Sequence, residues 1–409
     1  MKEEHPLDEI SVKDMVFLNS NDLNKRSYLG IGSRRKLVIN NDNQKPFDAL
    51  KEFWNHKKSW LMGYLSYDLK NSVEKLDSRN HDKIGAALIY FIEPASLFYS
   101  ASGKWVTVYN DLNIDPNKVM SEEGVSQNGN NPSIPLKSRV SKETYSDDIN
   151  TLLRHIHRGD IYEVNYCQEF YAENVDLDLK RVYSNLNELT QAPFSCFASL
   201  GPLNIISASP ERFICKKGQH VISQPIKGTI KRGQNIEEDN LLKEQLRTDP
   251  KERSENIMIT DLVRNDLSHH AEKGSVKVDE LCAAYSFKTV HQLISTVSAE
   301  IKVDTHWVDI IQSAFPMGSM TGAPKVRAME LIEEQEKTKR GIYSGTIGYV
   351  SPEGDFDFNV IIRSLVYNRK TKYLSAMVGG AITAASTVDR EYEECMLKAS
   401  ALKNALLNE

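Results

Sequence analysis

A lysine between an apolar residue and a glycine is the centre of the stretch Gln224-Pro225-Ile226-Lys227-Gly228-Thr229-Ile230-Lys231-Arg232-Gly233. Pro225 fixes its own φ and stiffens the chain that leads to Lys227. Gly228 permits positive φ or a close approach to a ligand. Burial of Lys227 would lower the pKa of its amine and free it to act as a nucleophile or a base. The same pattern also fits an exposed lysine at a turn, because most lysines are solvated.

Composition places the chain among ordinary globular proteins. It has 409 residues, of which 40% are hydrophobic and 26% are charged, and its net charge is −5. The length is enough for two or three domains or for one large α/β unit. Because the net charge is negative, we expect neither a nucleic-acid partner nor an anionic membrane surface as a partner.

Cysteine usage and the N-terminus bear on the compartment. The five cysteines are scattered and form no CxxC pair, which argues against a disulfide framework or a zinc site. Residues 1–6 show no signal-peptide pattern, and no apolar run is long enough to cross a bilayer. We therefore expect a cytoplasmic protein.

Hydrophobic periodicity divides the chain into three parts. Residues 1–118 are rich in predicted strands, 119–138 form a polar loop or linker, and 139–409 carry the candidate site. Proline, serine and aspartate at first-turn positions, together with the 3.6-residue period, predict helices over 46–54, 141–159, 181–190, 237–246, 249–265, 306–315, 325–337 and 389–407. Three strands over 344–350, 357–367 and 373–381 are predicted to form a meander.

Two pairs of glutamates repeat one helical spacing. Glu252 and Glu255 share a face of the helix that begins at Asp249, and Glu391 and Glu394 share a face of the last helix. Carboxylates are ligands that Mg²⁺ accepts together with waters and ligand oxygens. Alternatively, Glu252 only completes a capping box and the others are solvated. Glu391, however, lies on the apolar stripe of its helix, where a carboxylate needs a partner.

Other positions are candidates for binding an anion. The loop 318–323 offers glycines, hydroxyls and free N–H groups before a helix, and Gly379 and Gly380 end a predicted strand. Arg363 lies within the apolar run 360–366, where an arginine needs either an anionic ligand or an internal acid. Glu211 lies one hairpin away from Lys227 and could hold the lysine or relay a proton.

Taken together, these segments resemble the chorismate-utilising enzymes. The motifs that carry the resemblance are 209–213 (SPERF), 225–229 (PIKGT), 252–266 (ERSENIMITDLVRND), 318–327 (GSMTGAPKVR), 340–349 (RGIYSGTIGY), 361–364 (IIRS) and 391–394 (EYEE). They run in family order over about residues 140–405, and the N-terminal part matches more loosely through 63–67 (GYLSY). The resemblance implies an α+β fold with two facing antiparallel sheets flanked by helices and the site in the cleft.

Within that family, the sequence is most similar to the branch that makes 4-amino-4-deoxychorismate, the precursor of p-aminobenzoate and folate. Lys227 decides this, because the anthranilate-forming branch usually has alanine there; residues 192–195 (APFS) also fit the aminating branch. Water-using members usually place a lysine where this chain has Glu163. The resemblance implies that Lys227 attacks C2 of chorismate as the C4 hydroxyl leaves, and that ammonia from a separate glutaminase subunit then adds at C4 and expels the lysine.

The resemblance also assigns roles by position. Glu211 would assist Lys227, and Mg²⁺ would be held by Glu252, Glu255, Glu391 and Glu394. The residues implied to line the chorismate site are Gly228, Thr229, Ser319, Tyr343, Arg363, Gly379 and Gly380.

Two departures from the family pattern keep alternatives open. Gln292 stands where the family usually has a histidine, and His291 faces the other way in a regular strand. Ala381 stands where a second glycine is common. The loss of that histidine fits amination better than pyruvate elimination, which anthranilate formation requires. The remaining alternatives are an anthranilate-forming enzyme and a catalytically silent homologue that binds chorismate or tryptophan.

Overall fold

Two antiparallel sheets flanked by helices make up the fold, as the resemblance implied. The computed structural model describes residues 14–120 and 134–407, so the polar run 127–132 lies outside it. The strands are β1 Met15–Asn19, β2 Ser27–Ile31, β3 Arg35–Ile39, β4 Leu61–Leu65, β5 Ile89–Glu93, β6 Ser96–Ala101, β7 Lys104–Asn110, β8 Lys137–Ser138, β9 Glu163–Ala172, β10 Phe194–Leu200, β11 Leu203–Ser209, β12 Arg212–Lys217, β13 His220–Gln224, β14 Ile226–Lys231, β15 Lys277–Ser286, β16 Val290–Glu300, β17 Gly322–Ala323, β18 Thr346–Val350, β19 Phe356–Val360, β20 Ser364–Asn368 and β21 Tyr373–Thr383.

Eight of the ten described helices lie close to predicted positions, and the two short ones over 70–73 and 116–120 were not predicted. The helices are α1 Pro46–His56, α2 Lys70–Val73, α3 Pro116–Met120, α4 Lys142–Arg158, α5 Leu179–Thr190, α6 Ile236–Thr248, α7 Pro250–Ser268, α8 Trp307–Ala314, α9 Lys325–Gln335 and α10 Val388–Ala405. Side-chain caps explain two of the starts: Ser141 accepts from the Thr144 N–H, and Asp249 accepts from those of Lys251 and Glu252. None of the described helices is both long and apolar enough to cross a membrane.

The strands before residue 118 contribute to both sheets. The first sheet has the order β17-β9-β21-β20-β11-β10-β1-β2-β6-β7, with β8 beside β9. The second has the order β14-β16-β13-β12-β19-β18-β4-β5-β3, with β15 beside β16. Each sheet therefore joins early and late strands of the chain. The division of the chain at 118 and 138 stays a prediction.

Apolar side chains fill the space between the sheets and under the helices. One cluster joins the two sheets and includes Val16, Tyr64, Ile205 and Ile347. A second cluster packs α4, α5 and α10 onto the first sheet, and a third packs α1, α7 and α8 onto the second. The helices α7 and α10 are thereby held on opposite sides of one cleft.

The predicted meander over 344–381 was wrong in its middle. The run 357–367 is two strands, because the chain leaves β19 of the second sheet and enters β20 of the first. Residues 361–363 make this crossing, and Arg363 has φ 51°, in the left-handed region. The structure therefore corrects the prediction that Arg363 lies inside a strand.

Candidate active site

Two crossings between the sheets meet side by side and form the floor of the site. The chain crosses at residues 210–211, between β11 and β12, and crosses back at 361–363. Backbone hydrogen bonds tie the crossings together: the Val360 N–H donates to the Glu211 carbonyl at 3.1 Å, and the Ala208 N–H to the Arg363 carbonyl at 3.0 Å. Glu211 and Arg363 are thus fixed next to each other by tertiary structure.

One cavity gathers most of the residues predicted for the site. Its wall includes Glu211, Lys227, Gly228, Thr229, Glu252, Glu255, Ser319, Tyr343, Arg363, Gly379 and Glu394. Gly380 and Glu391 are not part of that wall. They lie directly behind it, and a Cβ placed on Gly380 would be 3.6 Å from Glu391 Oε2. Motifs more than 180 residues apart in the chain therefore converge on one space.

Lys227 is buried and forms an ion pair with Glu163 of β9. Its Nζ lies 2.6 Å from Glu163 Oε1, and the exposed fractions of the two side chains are 9% and 0%. Burial by itself lowers the pKa of Lys227, but the charge of Glu163 and its hydrogen bond outweigh burial, with help from Glu255 and Glu211, and the pKa is raised. Of the two alternatives left open by the sequence, an exposed and a buried lysine, the structure shows the buried one. The expected lowering of the pKa is wrong for this arrangement.

Glu163 was not predicted as a site residue, and neither were the cavity lysines Lys251 and Lys398. Glu163 begins β9, a strand that is buried over most of its length, where a carboxylate needs a partner. A charged side chain within a largely apolar run is the sequence signal for such a residue, for Glu163 as for Arg363. The sequence does not identify the partner of Glu163, because Lys227 lies 64 positions further along the chain.

Glu211 is a buried carboxyl that titrates near neutrality. Burial raises its pKa to about 7, although the Ser319 hydroxyl, the Lys227 ammonium and the Ile226 N–H all favour the charged form. Ser319 is held in a short 3₁₀ turn, Gly318–Met320, so the loop 318–323 serves the site through a side chain. A group with a pKa near the working pH can both give and take a proton.

The four candidate metal-binding glutamates lie on α7 and α10 with two lysines among them. Lys251 Nζ is 3.8 Å from Glu255 Oε1 and 3.9 Å from Glu391 Oε1, and Lys398 Nζ is 2.7 Å from Glu394 Oε1. Burial and neighbouring carboxylates raise the pKa of Glu252, Glu391 and Glu255, the last to about 7. The Lys398 charge lowers the pKa of Glu394.

This donor set fits a divalent cation. Four carboxylates from two helices accumulate negative charge that a hard, oxygen-binding cation would neutralise. As the side chains stand, no three acidic, histidine or cysteine groups within residues 14–120 and 134–407 form a metal cluster. The assignment of Mg²⁺ to these glutamates stays a prediction.

Arg363 presents an unpaired guanidinium to the cavity. Within the described ranges it has no ion pair and no side-chain hydrogen bond, so the internal acid that was the alternative partner is absent there. Removal from water lowers its pKa, which neither Tyr343 nor Glu394 offsets. A left-handed backbone and an unpaired, partly buried charge are both costly, and such costs are typical of ligand sites.

Gln292 and His291 lie on opposite faces of β16, as predicted. Gln292 faces the cavity, where its Nε2 donates to Thr229 Oγ1 at 3.3 Å and its buried Oε1 has no partner among the described residues. His291 points away and contacts Asp239 Oδ1 and Ser286 Oγ, each at 2.9 Å. His291 therefore does not replace the histidine that the family pattern places at 292.

The sequence profile of the family described as chorismate binding enzyme matches residues 14–404. The chain belongs to this family. Aminodeoxychorismate synthase component 1 of Klebsiella aerogenes is 41% identical over 66% of this chain and 59% of that protein, and the Escherichia coli protein of that name is 38% identical over 84% and 76%. The match thus spans less than two thirds of the Klebsiella relative. The crystal structure of anthranilate synthase component I from Streptococcus pneumoniae covers 93% of this chain and 92% of its own, at 25% identity and TM-score 0.80.

Close packing in this member of the family explains two of the site glycines. A Cβ on Gly228 would be 3.0 Å from Glu252 Oε2, so glycine lets the Lys227 strand approach α7. A Cβ on Gly379 would be 2.3 Å from Cys167 Sγ, while its carbonyl accepts from Lys398 Nζ at 3.0 Å. Both glycines are required for the cavity to have its shape.

Proposed function

We propose that this chorismate binding enzyme aminates chorismate at C4 and releases 4-amino-4-deoxychorismate, for p-aminobenzoate and folate synthesis. The observation that carries the proposal is the amine of Lys227, buried against Glu163 and facing the same cavity as an unpaired arginine. The relatives named aminodeoxychorismate synthase component 1 support this reaction over others in the family.

The substrate would bind through its charges. Arg363 has donors free for a carboxylate of chorismate, and Tyr343 and the backbone at Gly379 border the same space. The glutamates Glu252, Glu255, Glu391 and Glu394 would hold Mg²⁺, which when bound neutralises the other carboxylate of the substrate. Lys251 and Lys398 would then exchange partners.

The reaction would begin with proton transfer from Lys227, since only the neutral amine is a nucleophile. Glu163 lies 2.6 Å away and is placed to accept that proton. A bond forms between Lys227 Nζ and C2, the two conjugated double bonds of the ring each shift by one position, and the C4–O bond breaks. The leaving hydroxyl takes up a proton, and Glu211, whose pKa is about 7, is the neighbouring acid that titrates in the right range.

Ammonia would complete the exchange. It forms a bond to C4, the two double bonds shift back, and the bond between C2 and Lys227 Nζ breaks. One proton passes from the ammonia nitrogen to the lysine nitrogen, so Lys227 is released as the free amine. Gln292 cannot act as an acid at neutral pH, so the site lacks a group at that position for expelling pyruvate. We assign the supply of ammonia to a separate glutaminase subunit, as the component 1 names of the relatives suggest. All five cysteines are free thiols, which agrees with our assignment of the reaction to the cytoplasm.

The test is product analysis by mass spectrometry after incubation with chorismate, Mg²⁺ and ammonium. We expect 4-amino-4-deoxychorismate from wild type and a loss of at least about a thousandfold in Lys227→Met. Lys231→Met, an exposed lysine at the end of the same strand, is the matched control and should keep full activity. Glutamine should not replace ammonium for the chain alone.

Two outcomes would refute the proposal. Fluorescent anthranilate formed without an added lyase would favour the anthranilate-forming alternative. Binding of chorismate without consumption, unchanged in Lys227→Met, would show a catalytically silent homologue.

A further inference from the structure

The backbone at Lys227 is a β-bulge. Strand β14 pairs with β16 at Ile226 with Ile294 and at Thr229 with Gln292, and the register shifts between these pairs. Lys227 and Gly228 therefore both oppose Leu293. A bulge re-aims the side chain and interrupts the ladder of hydrogen bonds, and Gly228, with φ +92°, absorbs the distortion.

The side chain of Asn256 bridges this interruption. Asn256 lies on α7 and is fully buried. Its Nδ2 donates to the Lys227 carbonyl of β14 at 3.3 Å and to the Leu293 carbonyl of β16 at 3.1 Å, so it bonds to both strands at the bulge. A single amide thus satisfies a backbone group of both strands where the ladder is broken.

Two further contacts fix which way the amide points. The Cys282 N–H donates to Ser295 Oγ at 3.0 Å, so the hydroxyl proton of Ser295 is free to go to Asn256 Oδ1, with which it is in hydrogen-bond contact. The oxygen of the amide is thereby engaged by Ser295, and the NH₂ group must face the two carbonyls. Cys282 itself sits at a second irregularity, where β15 shifts register against β16.

We propose that Asn256 is a positioning residue for the Lys227 amine. By clamping both sides of the bulge, it fixes the backbone from which the lysine projects toward Glu163 and the cavity. Asn256 is not part of the cavity wall, so it does not touch the substrate, and its contact with the Lys227 carbonyl is the route by which it acts on the reaction. The inference rests on the proposed function, in which Lys227 is the reacting amine.

Steady-state kinetics of Asn256→Ala test the proposal. We expect kcat to fall about tenfold to a hundredfold, because small misplacements of a reacting group have effects of that size. KM for chorismate should change by less than about threefold, because the substrate contacts remain. Ser295→Ala, which only frees the amide to turn, should have a smaller effect, and the double variant should be no worse than Asn256→Ala, since the two act as one unit.

Hydrogen exchange supplies a measurement independent of activity. Amides of residues 226–231 should exchange faster in Asn256→Ala than in wild type. Val263→Ala, a cavity-forming change at a buried site of the same helix, is the control for lost stability, and Asn265→Ala, on the exposed face of that helix, is the control for the substitution itself. Both controls should keep the wild-type kcat and the wild-type exchange at 226–231.

The outcomes separate this inference from the proposed function. If wild type consumes no chorismate, the proposed function fails. If wild type is active and Asn256→Ala keeps its kcat, or if Val263→Ala loses as much kcat as Asn256→Ala does, the positioning role is overturned. Should Asn256→Ala not fold, an unchanged kcat in Ser295→Ala overturns the role and a selective loss of kcat supports it.

Discussion

Replacing Glu163 by glutamine removes the charge that offsets burial of Lys227 while keeping the size of the side chain. The ammonium of Lys227 would then be buried with its nearest counter-ion gone. It must either stay charged at the cost of desolvation or lose its proton. Either way the folded state is destabilised. The free energy needed to remove the proton from Lys227 is an upper limit on the loss of stability.

The limit follows from the ordinary pKa of lysine. Keeping a lysine neutral at pH 7.5, when its pKa in the unfolded chain is about 10.4, costs about 4 kcal/mol. Glu255 and Glu211 still favour the charged form, so the loss should be smaller than the limit. We expect Glu163→Gln to be about 2–4 kcal/mol less stable than wild type at pH 7.5.

The sign of the pH dependence is fixed by linkage. In wild type the pKa of Lys227 is raised in the folded state, so this lysine is protonated in both states below its unfolded pKa. There it causes no change of the free energy of unfolding with pH. In Glu163→Gln the folded pKa falls below the unfolded value, the unfolded chain binds more protons, and stability rises with pH. Above the lowered pKa, the difference in unfolding free energy between wild type and Glu163→Gln should shrink by about 1.4 kcal/mol per pH unit, up to about pH 10.

Urea denaturation from pH 7.5 to 10 measures both quantities. The double variant Glu163→Gln/Lys227→Met removes both charges and should be more stable than Glu163→Gln alone. A loss below about 1 kcal/mol, a gap that does not narrow with pH, or a double variant no better than the single would refute the reasoning.

Three further predictions concern other parts of the site. Between pH 4.5 and 7, the free energy of unfolding of wild type should fall by about 3 kcal/mol relative to that of Glu211→Gln. The reason is that burial raises the pKa of Glu211 from 4.5 to about 7, so the folded state keeps this proton and is destabilised when the carboxyl ionises. Arg363→Gln should raise KM for chorismate about tenfold to a hundredfold, because it removes a charged hydrogen bond worth about 1.5–3 kcal/mol. Removing divalent cations with a chelator should abolish turnover, and added Mg²⁺ should restore it.

Each of these three has its own check. For Glu211, parallel stability curves for the two proteins over that pH range would contradict a raised pKa. Arg363 is tested by chorismate kinetics with Arg369→Gln as the control, and an effect on kcat alone would remove Arg363 from substrate binding. Activity that survives exhaustive chelation would overturn the metal assignment to the four glutamates.

Local signals in the sequence were sufficient for the elements and for most members of the site. Helix caps such as Asp249 act within one turn, and the 3.6-residue period decides which face is buried, so α7 and α10 could be placed without knowing the fold. Charges at positions that should be apolar marked Arg363 and Glu391. These signals depend only on near neighbours in the chain, which a single sequence displays.

Tertiary structure alone decided how those parts meet. No local pattern distinguishes one strand over 357–367 from two strands in different sheets, because the crossing at 361–363 is made by packing against residues 208–211. The sequence did not identify the partner of Lys227 either, since Glu163 lies on β9 of the first sheet and Lys227 on β14 of the second. The direction of the lysine pKa then follows from a distance of 2.6 Å, because electrostatic energy in a buried site depends on separation in space and not on separation along the chain.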